Sequence, residues 1–201
     1  MSALLDRRYF PAYNELPFDC YVNLAFYHER NGILTPAFHW CFMAEIMDDT
    51  FAQTSFLRHR LEAKDRDGAR MPILFYLDRG VTLDTTHFKT GNTIFVRYAE
   101  QHAFMDGSNG LRIENPSSFY VVPYSLSAIV EAHRRVTSNV CNKCQKKATL
   151  RCAKCKQAFY CSRECQVDNW TDHKAPCRIL TKVAPVTSLD HTRFMEFELF
   201  H

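Results

Sequence analysis

The sequence lacks any apolar run that approaches the ~18 consecutive residues expected of a membrane-spanning helix. Its first residues also lack an apolar stretch of the length found in export signals, because charge appears as early as Asp6. Both absences predict a chain of the reducing cell interior, in the nucleus or cytoplasm, without a membrane partner. Disulfide frameworks belong to small secreted chains, so they are not the expected use of its nine cysteines.

Glycine is also scarce, since the chain has only six. All six lie in the first 110 residues. They separate runs rich in apolar, β-branched and aromatic residues, a pattern typical of strands and turns. The predicted strands are 38–48, 56–64, 71–77, 92–104, 111–114 and 119–122. In the fourth strand, Ile94, Val96 and Tyr98 share one face. A turn over 65–68 follows the second strand, and a helix over 125–136, capped by Ser125, follows the last.

These strands are too few for two packed sheets, and short turns separate most of them, which favours a small barrel. Their order resembles that of an oligonucleotide/oligosaccharide-binding (OB) fold. It has a first hairpin and a third strand, then a long connection over 78–90. A closing hairpin between 91–96 and 110–113 completes it. The expected fold class is α+β, with a small OB-like β-barrel and a terminal helix ahead of a metal-binding finger with short helices.

Eight residues of metal-ligand type fall close together after the predicted barrel. They are Cys141, Cys144, Cys152, Cys155, Cys161, Cys165, His173 and Cys177. Structural zinc sites take four nitrogen or sulfur ligands, so eight ligands predict two closed tetrahedral sites with two structural Zn²⁺. Because no coordination position is left for water, neither ion is expected to be catalytic. Spacing alone leaves sequential and interleaved ligand sets both open.

The predicted finger carries a basic excess that first suggests nucleic acid. Residues 141–177 have eight Lys/Arg and three Asp/Glu, or 8 − 3 = +5, whereas residues 1–140 have 14 − 16 = −2. Seven thiolates and two Zn²⁺ contribute −7 + 4 = −3, so the metal sites cancel most of this excess. Lysines near the ligands are therefore expected to shield thiolates rather than to form a phosphate-binding patch.

The segment Tyr160-Cys161-Ser162-Arg163-Glu164-Cys165-Gln166-x3-Trp170-x2-His173-Lys174-x2-Cys177 closely resembles a MYND zinc finger. The two preceding Cys-x-x-Cys pairs match that family as well. The resemblance implies interleaved sites. One ion would be held by Cys141, Cys144, Cys161 and Cys165, and the other by Cys152, Cys155, His173 and Cys177. Ser162 is also placed to cap a helix, and His173 and Cys177 are spaced so that one helical face presents both.

The resemblance to the MYND family also implies a partner. In the family, a shallow groove holds an extended Pro-rich peptide of the Pro-x-Leu-x-Pro type, and strand-like recognition of this kind uses backbone bonds and side-chain pockets. By that likeness the candidate peptide contacts are Tyr160, Ser162, Gln166 and Trp170. The leading hypothesis is therefore an adaptor whose finger recruits a Pro-rich protein segment.

The chain as a whole resembles small fungal MYND-finger proteins of unassigned function. That likeness rests on Phe88-Lys-Thr-Gly-Asn-Thr-Ile and His102-Ala-Phe-Met-Asp-Gly-x-x-Gly-Leu-Arg-Ile-Glu. The expected domains are a barrel over 1–136, a linker over 137–140, the finger over 141–177 and a C-terminal segment over 178–201. This C-terminal segment is expected to dock against the barrel or to be frayed, and the alternative is a partner-binding hook.

Two other functions compete with the adaptor hypothesis. An OB-like barrel can bind single-stranded nucleic acid with stacked aromatics on a basic groove. The candidate contacts are Phe56, Arg58, Arg60, Phe75, Arg97 and Tyr98. MYND fingers also occur inside SET-domain lysine methyltransferases, which need an Asn-His-Ser-type cofactor segment in a much longer chain. This sequence has no such triplet, so an enzyme is not expected.

Overall fold

Residues 3–48, 59–136 and 138–200 are described in the computed structural model of the protein. They fall into two units. The sheet unit comprises residues Arg7–Leu126 and Asp190–His201, and the finger unit comprises Met1–Asp6 and Ser127–Leu189. This division differs from the boundaries expected from the sequence. Most of the helix that precedes the finger groups with the finger, and residues from 190 onward group with the sheet.

The described part of the sheet unit contains nine strands. They are β1 Tyr27–Arg30, β2 Ile33–Pro36, β3 Cys41–Asp48, β4 His59–Asp65, β5 Arg70–Phe75, β6 Thr93–Arg97, β7 Gln101–Ala103, β8 Asn109–Ile113 and β9 Phe119–Val122. β1 and β2 form a separate hairpin. The other seven form one sheet in the order β7-β8-β5-β4-β3-β6-β9. All neighbours are antiparallel except β5 and β8.

The predicted hairpin around residues 65–68 is confirmed, because β4 and β5 pair on either side of that turn. Asp65 organises the turn: its Oδ1 accepts hydrogen bonds from the backbone N–H groups of Asp67 and Ala69 at 2.9 and 2.8 Å. Its Oδ2 accepts from the N–H of Tyr13 at 2.8 Å. One buried carboxylate therefore joins the turn to the start of the sheet unit.

The predicted single strand over 92–104 is wrong, because the chain breaks at Tyr98. This residue has φ 53°, in the left-handed region that non-glycine residues seldom adopt. The break ends β6 and lets the chain turn into β7. Ile94 and Val96 are buried as expected, but Tyr98 no longer continues their alternation.

The expected closing hairpin is also displaced along the chain. β8 pairs with β7 rather than with β6, and β6 lies between β3 and β9. Gly110 permits a close approach here, since a Cβ on it would lie 2.2 Å from the carbonyl oxygen of Pro72 on β5. The β1–β2 hairpin was missed, although Asn31-Gly32 at its turn, with φ of 54° and 77°, is a typical signal for one.

The described strands do not close into a hydrogen-bonded ring, so a closed barrel is not found and the OB-like interpretation remains a prediction. The fold is mixed, with mostly sheet in one unit and short helices in the other. An apolar core in the sheet unit includes Trp40, Phe42, Leu61 and Ile73, each at most 1% exposed. Among the helices of the described residues, none is long and apolar enough to span a membrane.

The finger unit contains four α-helices among its described residues, the first of which starts in the sheet unit, and one short hairpin. They are α1 Leu126–Arg134, β10 Leu150–Arg151, β11 Phe159–Tyr160, α2 Arg163–Asp168, α3 Trp170–Lys182 and α4 Ala184–Thr187. The helix predicted over 125–136 is thus present. Its first N–H, at Leu126, donates to the carboxylate of Glu45 at 3.0 Å, a contact from a distant strand. Ala132 shares a buried cluster with Cys141 and Leu180, which explains why α1 groups with the finger.

Candidate metal centre and peptide surface

Two tight turns of the same design present the leading Cys-x-x-Cys pairs. In the first, the N–H of Gln145 donates to the carbonyl of Cys141 at 3.0 Å. In the second, the N–H of Lys156 donates to the carbonyl of Cys152 at 2.8 Å. Gln145 and Lys156 have φ of 62° and 58°, so both turns use the left-handed region without glycine. Each turn points two sulfurs to one side of the backbone.

Two helices supply the remaining ligands. Ser162 caps α2, as predicted, because its side chain accepts a hydrogen bond from the N–H of Cys165 at 3.3 Å. Cys161 lies just before this cap and Cys165 lies in the first turn. On α3, His173 and Cys177 are four residues apart, so both project from one face of the helix.

The eight side chains form two clusters of four. Cys141, Cys144, Cys161 and Cys165 make the first, and Cys152, Cys155, His173 and Cys177 make the second. Within each cluster the ligand atoms all lie within 4.8 Å of one another. The grouping is interleaved: the second Cys-x-x-Cys pair lies between the two halves of the first cluster.

The distances suit tetrahedral zinc. A Zn–S bond of ~2.3 Å in tetrahedral geometry separates neighbouring sulfurs by about 3.7 Å. In the first cluster, Sγ of Cys161 lies 3.4 Å from that of Cys144 and 3.5 Å from that of Cys165. In the second, the sulfurs of Cys152 and Cys177 are 3.8 Å apart. All nine cysteines of the chain are free rather than disulfide-bonded.

The first cluster requires a cation for electrostatic reasons. Burial raises the pKa of the Cys141 thiol, but hydrogen bonds from the backbone N–H groups of Cys144, Cys161 and Lys143 outweigh it and bring the pKa to about 6. Hydrogen bonds with the thiols of Cys144 and Cys165 raise the pKa of Cys161 to about 12. The backbone thus favours one thiolate, and four thiolates at this distance need a positive charge between them.

The second cluster is more enclosed, because all four of its ligands are buried. Burial lowers the pKa of His173, which favours the neutral imidazole that binds metal. Its Nε2 lies 3.6 Å from the sulfur of Cys155. The expectation of two structural zinc ions is therefore confirmed: each cluster fits one ion with four ligands and no open position.

The peptide surface differs from the predicted set at one position. Tyr160 is fully buried, and its hydroxyl donates to Oδ1 of Asn169 at 3.1 Å. Its ring packs edge-on against His173 with centroids 5.9 Å apart. Tyr160 therefore supports a zinc ligand and cannot contact a peptide directly, which corrects the sequence-based candidate.

The other candidates lie on one side of the finger. A shallow groove of about 300 Å³ is lined by Gln166 and Trp170 together with Arg163 and Val167. Trp170 is 41% exposed and Val167 is 65% exposed. Arg163 and Val167 were missed, although positions 163, 166, 167 and 170 follow the i, i+3, i+4, i+7 spacing of one helical face. Ser162 is half-buried and occupied as a cap.

The candidate nucleic-acid contacts do not form one exposed groove. Phe56 and Arg58 lie outside the described residues. Phe75 is 3% exposed, and its ring stacks on that of Phe88 with centroids 5.3 Å apart. It cannot stack on a base without leaving the core, so Phe75 is removed from the candidate set.

The remaining nucleic-acid candidates are engaged with the protein itself. Arg60 pairs with Glu62 at 2.8 Å and approaches Asp106 at 3.8 Å. Arg97 is only 7% exposed, and its guanidinium lies 4.0 Å from the centre of the Phe200 ring. Arg97 is therefore also corrected, because it is buried against the Phe200 ring and offers little exposed charge to a phosphate. Tyr98 is half-buried.

Comparison with known proteins identifies the finger. The model of the MYND finger family matches residues 141–177. The zinc finger MYND domain-containing protein 10 homolog of Drosophila melanogaster is 49% identical over 41 residues, 20% of this chain and 9% of that protein. Tudor domain-containing protein 1 of Mus musculus is 34% identical over 70 residues, 35% of this chain and 5% of that protein. The N-lysine methyltransferase SMYD2-B of Danio rerio is 44% identical over 43 residues, 20% of this chain and 10% of that protein.

This chain spans no more than a tenth of the length of these three relatives, so the likeness concerns a module rather than whole proteins. The matched residues carry all eight metal ligands and the groove residues Gln166 and Trp170. Residues 141–177 are thus a MYND zinc finger, a protein-interaction module built on two structural zinc ions.

Proposed function

We propose that the chain is an adaptor whose MYND finger binds an extended Pro-rich peptide of the Pro-x-Leu-x-Pro type. The observation that carries the proposal is the groove between Gln166 and Trp170. Trp170 leaves 41% of its surface exposed at the first turn of α3, beside the zinc ligand His173, with ring centroids 6.2 Å apart. A rigid ring fixed by a metal ligand is a suitable anchor for an apolar side chain.

The groove has a polar edge as well as an apolar wall. Val167 and Trp170 supply apolar surface, and the side chain of Gln166 can donate to and accept from a peptide backbone. Arg163 adds a cation at the rim. A proline-rich segment suits such a surface because it is already extended and loses little conformational entropy on binding.

Binding rather than catalysis by the finger is part of this proposal. Each zinc cluster has four protein ligands, so neither ion offers a position to a substrate. The likeness to the methyltransferase SMYD2-B covers a tenth of that protein and brings no activity with it. Seven metal-binding thiols suit a reducing compartment, so the proposed site of action is the nucleus or cytoplasm.

We also propose that the sheet unit is an OB-like barrel. Two features support it: β5 and β8 are parallel, and only three residues separate β6 from β7. β6 and β7 form one bent segment of the chain. Its β6 part pairs with β3 and its β7 part pairs with β8, so it contacts both outer strands of the order β8-β5-β4-β3. Nuclear Overhauser contacts between β6 and β8 across the bend would support closure, and their absence would contradict it.

The peptide proposal is tested by calorimetric titration of a Pro-x-Leu-x-Pro peptide into zinc-loaded protein. Trp170→Ala should weaken binding by ~2 kcal/mol or more, as expected for an aromatic anchor. Leu150→Ala is the matched control, because Leu150 is 50% exposed in the same finger but does not line the groove. Both variants must retain two zinc ions. Equal affinity of wild type and Trp170→Ala would contradict the proposal, and a single-stranded oligonucleotide titrated in parallel tests the competing function.

A further inference from the structure

The segment Asp190–Phe200, here called the tail, lies on the sheet unit and starts with a reciprocal contact between two buried histidines. The N–H of His39 donates to the carbonyl of His191 at 3.1 Å. In return, Nδ1 of His191 lies 3.0 Å from the carbonyl oxygen of His39. Both residues are 3% exposed. The start of the tail is therefore fixed firmly.

The end of the tail is also held by specific contacts. The N–H of Phe200 donates to the carbonyl of Ser117 at 2.7 Å. The Phe200 ring stacks on Tyr120 with centroids 5.5 Å apart and planes 28° from parallel. Arg97 approaches the same ring at 4.0 Å from its centre. A backbone bond, a stacking partner and a cation together make a pocket for one aromatic side chain.

Between these anchors the tail is held less closely. The N–H of Glu198 donates to the hydroxyl oxygen of Tyr98 at 3.0 Å, and Phe197 packs edge-on against the Tyr98 ring at 4.9 Å. Phe197 nevertheless remains 60% exposed and Met195 70% exposed. None of the described β-strands includes a residue of the tail. Its middle is therefore a peptide laid on a surface rather than part of the sheet.

The surface is larger than the tail that covers it. A cavity of about 520 Å³ lies beside Phe197 and Leu199, and its other walls include Arg112, Asn115 and Ser118. Tyr98, at the centre of this surface, has the unusual φ of 53°. Backbone conformations of this kind often occur at binding sites. The tail thus leaves room beside it for a bulkier occupant.

We propose that the surface formed by Arg97, Tyr98, Ser117 and Tyr120, here called the tail track, binds an extended peptide of a partner protein. The peptide would carry two aromatic side chains three residues apart, as Phe197 and Phe200 are in the tail. The tail occupies the track as an internal competitor, so a partner must displace its last residues. This site lies in the sheet unit and does not depend on the function proposed for the finger.

The charge of the sheet unit favours a peptide over a nucleic acid. Residues 7–126 and 190–201 carry thirteen Lys/Arg and seventeen Asp/Glu, which gives 13 − 17 = −4. Asp19, Glu100 and Glu114 lie along the adjoining cavity and outnumber its two arginines, Arg97 and Arg112. A polyanionic strand would meet like charges there, whereas a peptide can use the same backbone bonds that hold the tail.

The test uses the full chain and a fluorescein-labelled peptide with the sequence of residues 193–200. In wild type, the tail competes with the added peptide for the track. The apparent affinity for the peptide is then the intrinsic affinity multiplied by the fraction of molecules in which the track is open. Replacing both Phe197 and Phe200 by Ala in the chain should increase peptide affinity about tenfold or more. Should that double variant fail to fold, Phe197→Ala alone serves, because its ring is mostly exposed. Binding is read by fluorescence anisotropy and folding by circular dichroism.

Matched changes make the result specific. A labelled peptide with both phenylalanines replaced by alanine should not bind, and Tyr120→Ala in the tail-weakened chain should abolish the gain. Trp170→Ala should leave it intact, which separates this site from the finger. The proposal is overturned if a folded tail-weakened variant binds the peptide no better than wild type. It is also overturned if that variant binds a single-stranded oligonucleotide instead, or forms tail-exchanged dimers without binding the peptide.

Discussion

The hydroxyl of Tyr160 donates to the side-chain oxygen of Asn169, and this bond joins β11 to the junction between α2 and α3. Asn169 ends one helix and precedes the other, so the bond fixes the angle at which Trp170 leaves the finger. Tyr160 is therefore a support for the peptide groove rather than a part of its surface.

Tyr160→Phe should mainly lower the stability of the finger, whereas Trp170→Ala should mainly lower its affinity for the peptide. Tyr160→Phe removes a buried hydrogen bond and should lower the free energy of unfolding of the zinc-loaded finger by ~1 kcal/mol. Tyr160 does not line the groove, and the zinc ligands on α2 and α3 still hold both helices, so affinity should fall less than in Trp170→Ala. Trp170→Ala should lower affinity with little loss of stability. Thermal unfolding and peptide titration of both variants check this, and a large loss of affinity in Tyr160→Phe with unchanged stability would contradict it.

Metal content should be two zinc ions per chain, measured by elemental analysis of purified protein. Cys152→Ser removes one ligand of the enclosed cluster, so it should lose zinc and unfold residues 141–177, because zinc binding supplies the folding energy of small fingers. Cys20→Ser, at an exposed cysteine outside both clusters, is the control and should keep two ions. A variant Cys152→Ser that retains two ions would show that the ligand set is wrong.

Glycine at the positive-φ position of either metal-binding turn should not lower the stability of the finger. Gln145 and Lys156 hold positive φ at an expected cost of ~1 kcal/mol each relative to glycine, less the greater entropy that glycine loses on folding. Lys156→Gly should therefore leave stability unchanged or raise it slightly. Lys154→Gly, at a residue without positive φ, should lower it. Thermal unfolding of zinc-loaded variants compares them, and a clear loss with Lys156→Gly would refute the strain argument.

Stability of the finger unit should fall on acidification through His133. Burial lowers the pKa of this residue to about 4 from an ordinary value near 6.5. The unfolded chain therefore binds a proton that the folded chain excludes, so the stabilisation is complete above about pH 6.5 and decreases as pH falls towards 4. The full effect is on the order of 3 kcal/mol. Protons also compete with zinc for its ligands as pH falls, so the informative quantity is the difference between wild type and His133→Leu, which should lose this component.

Gly110 should be intolerant of any side chain. A Cβ there would meet the carbonyl oxygen of Pro72 at 2.2 Å, so β8 would have to move away from β5. Gly110→Ala should destabilise the sheet unit by about 1–3 kcal/mol, the usual cost of overpacking. Asn109→Ala, at the exposed neighbouring position, should cost far less. Chemical denaturation of both variants decides between them, and equal effects would show that β5 and β8 adjust freely.

The metal ligands could be predicted because their signal is local. Cys-x-x-Cys turns, the Ser162 cap and the spacing of His173 and Cys177 each depend on a few neighbouring residues. Tyr98 shows the opposite case. Its alternation with Ile94 and Val96 continues a strand pattern, and nothing nearby in sequence announces the backbone break that tertiary contacts impose. Tyr160 was misplaced for a similar reason, since its burial depends on Asn169 and His173 in later elements.

The sequence predicted that the C-terminal segment docks against the N-terminal region, but it did not predict which residues the tail contacts. Its partners Arg97, Ser117 and Tyr120 are far away in sequence, so no periodicity could identify them. The same contacts remove Arg97 from the set of exposed cations that the sequence suggested. The missed β1–β2 hairpin differs, because Asn31-Gly32 was a sufficient local signal.

The interleaving of the two zinc clusters links their formation. The first cluster closes the loop between Cys144 and Cys161, and Cys152 and Cys155 lie inside that loop. The second cluster closes the loop from Cys155 to His173, which contains Cys161 and Cys165. Each ion therefore shortens the stretch of chain that the other must close, and so lowers the loop-closure entropy opposing it. In this topology, the two ions assemble the finger as one cooperative unit, and releasing either loosens the ligands of both.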